Sequence, residues 1–232
     1  MAIPEPVWCV VPAAGRSTRM GGDIPKQYLP IGGKPMLMHT LTRLATHPLV
    51  AGVVVVLADG DSYWAGMDRL RGKPVRTAIG GDERADSVLA GLRAVPDNVD
   101  KSQFILVHDA ARPCVRAHDI SRLLEFGVPA GGAILAAPVR DTLKRAGGDQ
   151  RVVVTEPRES RWRALTPQLF RRDELTAALE SARSAGVSAT DEAMAMERSG
   201  HRPLLVEGSE DNIKVTTAPD FALAEFLLGK IE

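Results

Sequence analysis

Val7-Trp8-Cys9-Val10-Val11-Pro12-Ala13-Ala14-Gly15-Arg16-Ser17-Thr18-Arg19-Met20-Gly21-Gly22, followed by Pro25-Lys26-Gln27, joins an apolar run to a loop of small residues carrying cations. The run shows continuous rather than alternating hydrophobicity, which suits a strand covered on both faces. Small residues let the loop backbone approach a ligand closely. Arg19 and Lys26 set positive charge beside that approach, and Pro25 stiffens the entry to Lys26. A nucleoside triphosphate needs both features. The loop is not a Walker A loop, because Gly21 is followed by Gly22 and Asp23 rather than Lys and Ser/Thr, and it lacks the dinucleotide pattern G-x-G-x-x-G. Taken alone, its glycines also fit an ordinary strand-to-loop connection with a solvated basic surface.

Further apolar runs lie at Val53 to Leu57, Phe104 to Val107 and Ala133 to Ala137, with amphipathic segments between the first three strands. The pattern predicts an α/β fold: a mostly parallel sheet flanked by helices on each side. Ligands of such sheets bind at the carboxyl ends of the strands, so the loop after the first strand and Asp109 after the Phe104 strand should share a site. A carboxylate ending an apolar strand does not serve as core filler. Met36, Leu37, Thr40, Leu41 and Leu44 form one helical stripe, and Ala85, Val88, Leu89 and Leu92 another. Asp82 is the expected N-cap of that second helix. Gly80-Gly81-Asp82 therefore reads as a capped helix start, and backbone groups at such a start also suit a ligand.

The stretch from about 139 to 166 is rich in charge and has the turn signal Gly147-Gly148-Asp149 between candidate strands at Thr142-Leu143-Lys144 and Arg151 to Thr155. A lone hairpin is marginal in water, so this arm is expected to project and to be stabilised by a second copy of the chain. Beyond it, helices are expected at Arg172 to Ala185, Thr190 to Arg198 and from Pro219 through Leu228. Short strands are expected at Leu204-Leu205-Val206 and Ile213-Lys214-Val215.

The 232 residues suit one domain, 1–232, and leave no room for a fused second enzyme. Basic and acidic residues balance at 29 each, which argues against a nucleic-acid partner held by phosphate neutralisation. Two cysteines and five scattered histidines provide neither a disulfide framework nor zinc-ligand spacing. No membrane-length apolar stretch and no signal peptide stands out, so a cytoplasmic protein is expected.

Motifs along nearly the whole chain, in order, carry a resemblance to a known family. Besides Pro12 to Met20 and Pro25-Lys26-Gln27-Tyr28, they are Gly80 to Val88 (Gly-Gly-Asp-Glu-Arg-Ala-Asp-Ser-Val), Val107 to Pro113 (Val-His-Asp-Ala-Ala-Arg-Pro) and Ala137 to Thr142 (Ala-Pro-Val-Arg-Asp-Thr). Ala164-Leu165-Thr166-Pro167-Gln168, Thr190-Asp191-Glu192-Ala193 and Asp211 to Thr216 (Asp-Asn-Ile-Lys-Val-Thr) complete the set. The chain resembles the 2-C-methyl-D-erythritol 4-phosphate cytidylyltransferases of the non-mevalonate isoprenoid pathway, although the family often carries another Gly between Gly15 and the catalytic Arg. The resemblance implies a Rossmann-like domain, a homodimer joined through the arm, CTP and 2-C-methyl-D-erythritol 4-phosphate as substrates, and Mg²⁺ bound mainly through the CTP phosphates. It implies Arg19, Lys26, Arg158 and Lys214 as catalytic residues, with Ala13, Ala14, Gly15, Gly81, Asp82 and Ser87 around the cytidine. Asp109 would stand beside both substrates near the metal, and Thr190 would hold the acceptor with Lys214 and Arg158. Thr142 and Thr166 would be lesser contacts, and Thr142, Arg158 and Thr166 would serve the neighbouring subunit's site.

Several of these residues have a second reading. Arg112 is either a substrate ligand or a loop ion pair, Lys214 alone is a routine strand lysine, and Thr190 alone is a helix cap. Arg161 and Arg163 lie close to Arg158 in a variable stretch.

The chemistry fits cations rather than a Ser-His-Asp set. A phosphate monoester nucleophile has a second pKa of about 6 and is largely ionised at neutral pH, so no general base is obligatory. Catalysis then rests on orientation and charge stabilisation as pyrophosphate departs. Arg can clamp phosphate bidentately, whereas Lys acts as a mobile point charge. Two competing functions remain at this level: the same chemistry on another polyol phosphate such as ribitol 5-phosphate, and a catalytically silent nucleotide-binding subunit that kept the fold.

Overall fold

The computed structural model describes residues 5–15 and 24–230. Strand β1 (Val7–Pro12) lies between β4 (Val50–Leu57) and β7 (Phe104–Val107) and runs parallel to both. Beyond β4, β6 (Lys73–Ile79) continues the parallel pairing, and the two-residue β5 (Arg69–Leu70) closes that edge antiparallel. On the other side, β11 (Trp162–Arg171) is inserted antiparallel between β7 and β8 (Ala133–Pro138), with β12 (Leu204–Glu207) parallel to β8 at the far edge. The order β12-β8-β11-β7-β1-β4-β6-β5 makes the mixed, mostly parallel sheet that the apolar runs called for.

Alternate residues of the central strands feed two cores. Val7, Cys9 and Val11 of β1 and Val53 and Val55 of β4 pack with Leu37, Leu41 and Leu44 of α1 (Met36–Thr46) and with Ile120, Leu123 and Leu124 of α3 (Ala117–Gly127). Trp8, Val10, Val54 and Val56 face the opposite way, against Val88, Leu89 and Leu92 of α2 (Arg84–Ala94) and Leu175 and Leu179 of α4 (Arg172–Ser184). Each such buried Val or Leu contributes about 1.5–3 kcal/mol of transfer free energy, so both helical layers are held to one sheet by the same strands. Helix α2 approaches closely at Gly91, where a Cβ would stand 2.3 Å from Val10 Cγ1 and 2.8 Å from Val56 Cγ2.

The remaining elements are peripheral. The small hairpin of β2 (Pro30–Ile31) and β3 (Lys34–Pro35) leads into α1, while α5 (Glu192–Arg198) packs on α4. Helix α6 (Ala218–Leu228) ends the described chain and carries Pro219 in its first turn. In the arm, β9 (Leu143–Ala146) pairs antiparallel with β10 (Val152–Glu156) and forms no ladder with the main sheet. The Gly147-Gly148-Asp149 turn closes it, with Gly147 N donating to Arg151 O at 2.9 Å, and Val152 and Val153 are exposed.

Four expectations change. The free hairpin is shorter than 139–166, because Trp162 onward belongs to β11 and pairs with β8. Ile213-Lys214-Val215 is not a strand: β12 already occupies the sheet edge, and Val215 N instead donates to Ala111 O at 2.8 Å. Helix α2 begins one residue later than Asp82 implies, with Glu83 at the N-cap and its N–H donating to Asp86 Oδ2 at 3.4 Å. Helix α5 starts after Asp191, whose Oδ1 accepts from Met194 N at 2.9 Å, so Asp191 and not Thr190 is its cap.

Candidate active site

The carboxyl ends of β1, β4, β6 and β7 open into one cavity of about 640 Å³. Ala13, Ala14, Gly15, Lys26, Gly81, Asp82, Ser87, Asp109 and Lys214, all singled out in the sequence, line it together. They arrive from four regions that are remote along the chain, at 13–26, 81–87, 109 and 214, and the sheet ladder brings the loops side by side. Ala13 N donates to Val56 O and Gly80 N to Leu57 O, each at 2.8 Å, so the pairing of the strands continues into the site. The loops after β1 and β6 press together there: a Cβ on Gly80 would sit 2.6 Å from both Ala14 Cβ and Ser87 Oγ. Arg19 lies outside the described residues.

Lys26 sits on a short 3₁₀ turn, Lys26–Tyr28, fixed at each residue. Its Nζ donates to Val215 O at 3.1 Å, Gln27 Nε2 donates to Ala13 O at 2.7 Å, and the Tyr28 hydroxyl donates to Asp61 Oδ2 at 2.8 Å. The turn thereby ties the first loop to the segment carrying Lys214. Gln27 and the β4 loop residue Asp59 also line the cavity, although neither had been assigned a role from sequence.

Asp109 is the electrostatic centre. Its Oδ1 accepts from Arg84 Nε at 3.1 Å and Nη2 at 3.0 Å, while Oδ2 pairs with Lys214 Nζ at 2.9 Å and faces Arg112 Nε at 3.5 Å. Burial pushes this carboxyl upward, but the charges of Arg84, Lys214 and Arg112 outweigh it and hold the group well below the usual carboxylate range. Arg84 also reaches the fully buried Glu192, with Nη1 to Oε1 at 2.6 Å and Nη2 to Oε2 at 3.1 Å. Burial lowers the Arg84 pKa, but the carboxylates of Glu192 and Asp109 reverse that and raise it. Arg84, within the Gly80 to Val88 motif, is the main site residue to which the motifs assign no role. Its signal was a cation at the first position of a helix, where the dipole disfavours positive charge and a carboxylate partner is needed.

Thr166, expected to go with the arm to the neighbouring subunit's site, is instead buried behind this chain's own Asp109, because it belongs to β11 of the main sheet. Its Oγ1 accepts from Asp109 N at 3.0 Å and lies 3.0 Å from His108 Nδ1, whose ring reaches Arg112 O through Nε2 at 3.1 Å. Because Arg112 O only accepts, Nε2 carries the proton and the Thr166 hydroxyl donates to Nδ1. Burial lowers the His108 pKa to about 4, so the imidazole is neutral and the chain of bonds keeps one polarity. Arg112 is buried, and its Nη1 donates to Asn212 O at 2.7 Å, fastening the segment that leads to Lys214. Arg112 thus forms the expected ion pair with Asp109 at the edge of the site.

Three expected residues are not brought to this cavity within the chain. Thr142 and Arg158 are exposed at the arm, where Arg158 Nη1 donates to Arg140 O. Thr190 is exposed and its Oγ1 lies 3.5 Å from the Met194 sulfur. Among the described residues there is no group of three or more His, Cys, Asp or Glu side chains placed to hold a metal.

Residues 7–230 match the family model described as IspD, 2-C-methyl-D-erythritol 4-phosphate cytidylyltransferase. The chain is 60% identical over 225 residues to the 2-C-methyl-D-erythritol 4-phosphate cytidylyltransferase of Stenotrophomonas maltophilia, covering 97% of each protein. It is 60% identical over 223 residues to that of Xanthomonas euvesicatoria pv. vesicatoria, covering 96% of this chain and 84% of the relative. Its fold matches a crystal structure of 4-diphosphocytidyl-2C-methyl-D-erythritol synthase with a TM-score of 0.82 at 36% identity, over 97% of this chain and 99% of the other. The Francisella tularensis 2-C-methyl-D-erythritol 4-phosphate cytidylyltransferase matches with a TM-score of 0.81 at 34% identity, over 96% and 100%.

Proposed function

Because the chain belongs to the 2-C-methyl-D-erythritol 4-phosphate cytidylyltransferase family, we propose that its cavity carries out that transfer. CMP moves from CTP to 2-C-methyl-D-erythritol 4-phosphate, giving 4-diphosphocytidyl-2-C-methyl-D-erythritol and pyrophosphate in isoprenoid precursor synthesis. The observation that carries this reading is the convergence of the small-residue loops, Lys26, Asp109 and Lys214 on one cavity.

Ala13, Ala14, Gly15, Gly81, Asp82 and Ser87 hold the cytidine, and their small size favours a pyrimidine over a purine. Lys214 takes the acceptor phosphate and aims one of its oxygens at the α-phosphorus of CTP. That phosphate is already ionised at neutral pH, so the new P–O bond forms as the bond to pyrophosphate breaks, without a protein base. Lys26, with Arg19, stabilises charge that shifts to the leaving pyrophosphate. Bound magnesium supplies further charge neutralisation on the phosphates. Both Asp109 oxygens are engaged by cations, so the residues fit an ion carried on the triphosphate, with Asp109 as its neighbour at the cost of one ion pair. Arg112 supports the acceptor side through Asn212.

We read the chain as one nucleotidyltransferase domain, 1–232, that works as a cytoplasmic homodimer. The arm at about 139–166 reaches the neighbouring site with Thr142 and Arg158, and Thr166 and Thr190 border the acceptor. The exposed Val152 and Val153 support this, since an isolated hairpin needs a partner surface. Among the described residues no helix is long and apolar enough to cross a membrane. Mixing inactive Arg158→Ala and Lys214→Ala proteins should restore about a quarter of wild-type activity, because one site in each mixed dimer has both residues intact. No recovery after subunit exchange would remove the shared site.

Pyrophosphate release with CTP and a panel of acceptors tests the reaction itself. Turnover should be highest with 2-C-methyl-D-erythritol 4-phosphate. Preference for ribitol 5-phosphate, or CTP binding without turnover, would overturn the reading.

A further inference from the structure

The transfer reading leaves Arg84 and Glu192 without a task, yet Arg84 lines the cavity and pairs there with Asp109 and, behind the wall, with the fully buried Glu192. Glu192 is 0% exposed, and the hydrogen bonds to its carboxylate among the described residues come from Arg84. Burying a carboxylate costs several kcal/mol unless it is paired. The packing of α5 is supplied by its buried Ala193, Ala195 and Met196, so the pair serves what Arg84 does on its other side. There the same guanidinium meets Asp109 Oδ1 through Nε and Nη2. A planar guanidinium presents its donors in a rigid fork, so fastening one edge to Glu192 sets the direction of the other.

We infer that Arg84, locked by Glu192, is a positioning residue that turns and neutralises the Asp109 carboxylate so that Lys214 can pass from Asp109 to the acceptor phosphate. The inference rests on the transfer reading and adds to it. Asp109 divides its oxygens between two halves of the site: Oδ1 faces Arg84 on α2, at the end of the β6 loop, and Oδ2 faces Lys214 on the segment after β12. Arg112 also faces Oδ2, from the loop after β7, while His108 beside it is neutral. When the incoming phosphate draws Lys214 away, Arg84 and Arg112 remain to balance the buried carboxylate. Without Arg84 the carboxylate would keep Lys214 for itself, and the acceptor would compete for it at a disadvantage. The Thr190-Asp191-Glu192-Ala193 motif thereby acts on the acceptor side through α2, from 108 residues away.

Steady-state kinetics with CTP and 2-C-methyl-D-erythritol 4-phosphate test this on three variants. Arg84→Gln alone leaves Glu192 as an unpaired buried charge and endangers folding, so the informative protein is the double variant Arg84→Gln/Glu192→Gln. Its KM for the acceptor should rise about tenfold, the size expected when one charge-assisted contact is redistributed, while its KM for CTP changes by less than about threefold. Arg84→Lys, which keeps the charge but not the fork, should recover part of the acceptor KM, and Glu192→Gln alone should lie between it and wild type. An unchanged acceptor KM in the double variant, or equal rises in both KM values with a fall in melting temperature, would overturn the positioning role. Wild-type protein that fails to turn over the acceptor would instead remove the transfer reading on which the role depends.

Discussion

Lys26→Ala will lower kcat by about 10²–10³-fold, the usual effect of deleting one preorganised charge that acts on the transition state. The melting temperature should stay within about 2 °C of wild type, as for substitutions outside core and buried networks. The reason for the separation is local. The 3₁₀ turn keeps its other two fastenings, Gln27 Nε2 to Ala13 O at 2.7 Å and Tyr28 hydroxyl to Asp61 Oδ2 at 2.8 Å, when the ammonium is removed. What is lost is a point charge at the cavity, beside the carbonyl of Val215. Pyrophosphate release and thermal unfolding, measured on the same preparation, decide the matter. Matching losses of stability and activity would make Lys26 a structural residue.

Asp109→Ala should behave differently, losing activity and stability together. Its carboxylate has a side-chain exposure of 9% and meets three cations, Arg84, Arg112 and Lys214. Removing one partner from a buried ion pair costs about 3–5 kcal/mol, because the charges left behind are uncompensated. For a chain of this size that is a fall of roughly 10 °C in melting temperature. The Asp109 N–H bond to Thr166 survives the substitution, since it belongs to the backbone, so the loss measures the carboxylate. A variant that melts with wild type would show that the three cations do not depend on Asp109.

The contrast between these residues follows how visible each was in the sequence. Lys26 stands in a loop of small residues after an apolar strand, a local pattern. The central strands β1, β4, β7 and β8 were equally plain, because burial on both faces produces unbroken apolar runs. Strand β6 was not, since Lys73-Pro74-Val75-Arg76-Thr77-Ala78-Ile79 lies near the sheet edge with much of its length exposed. Strand β11 was hidden by Pro167, which lacks a ladder donor and argues against a central strand; the register shift between Ala164 and Gln168 accommodates it. Ile213-Lys214-Val215 had strand-like residues but no free sheet edge to join.

Composition and short-range order were enough to place the central apolar strands, the small-residue loops at their carboxyl ends and the family to which the chain belongs. Only the tertiary structure decided which charges meet. Arg84 lies 25 positions from Asp109 and 108 from Glu192, and Asp109 reaches across to Lys214 on a different segment. Coulomb attraction depends on distance in space and on burial, and both arise only when the sheet has brought its strand ends together.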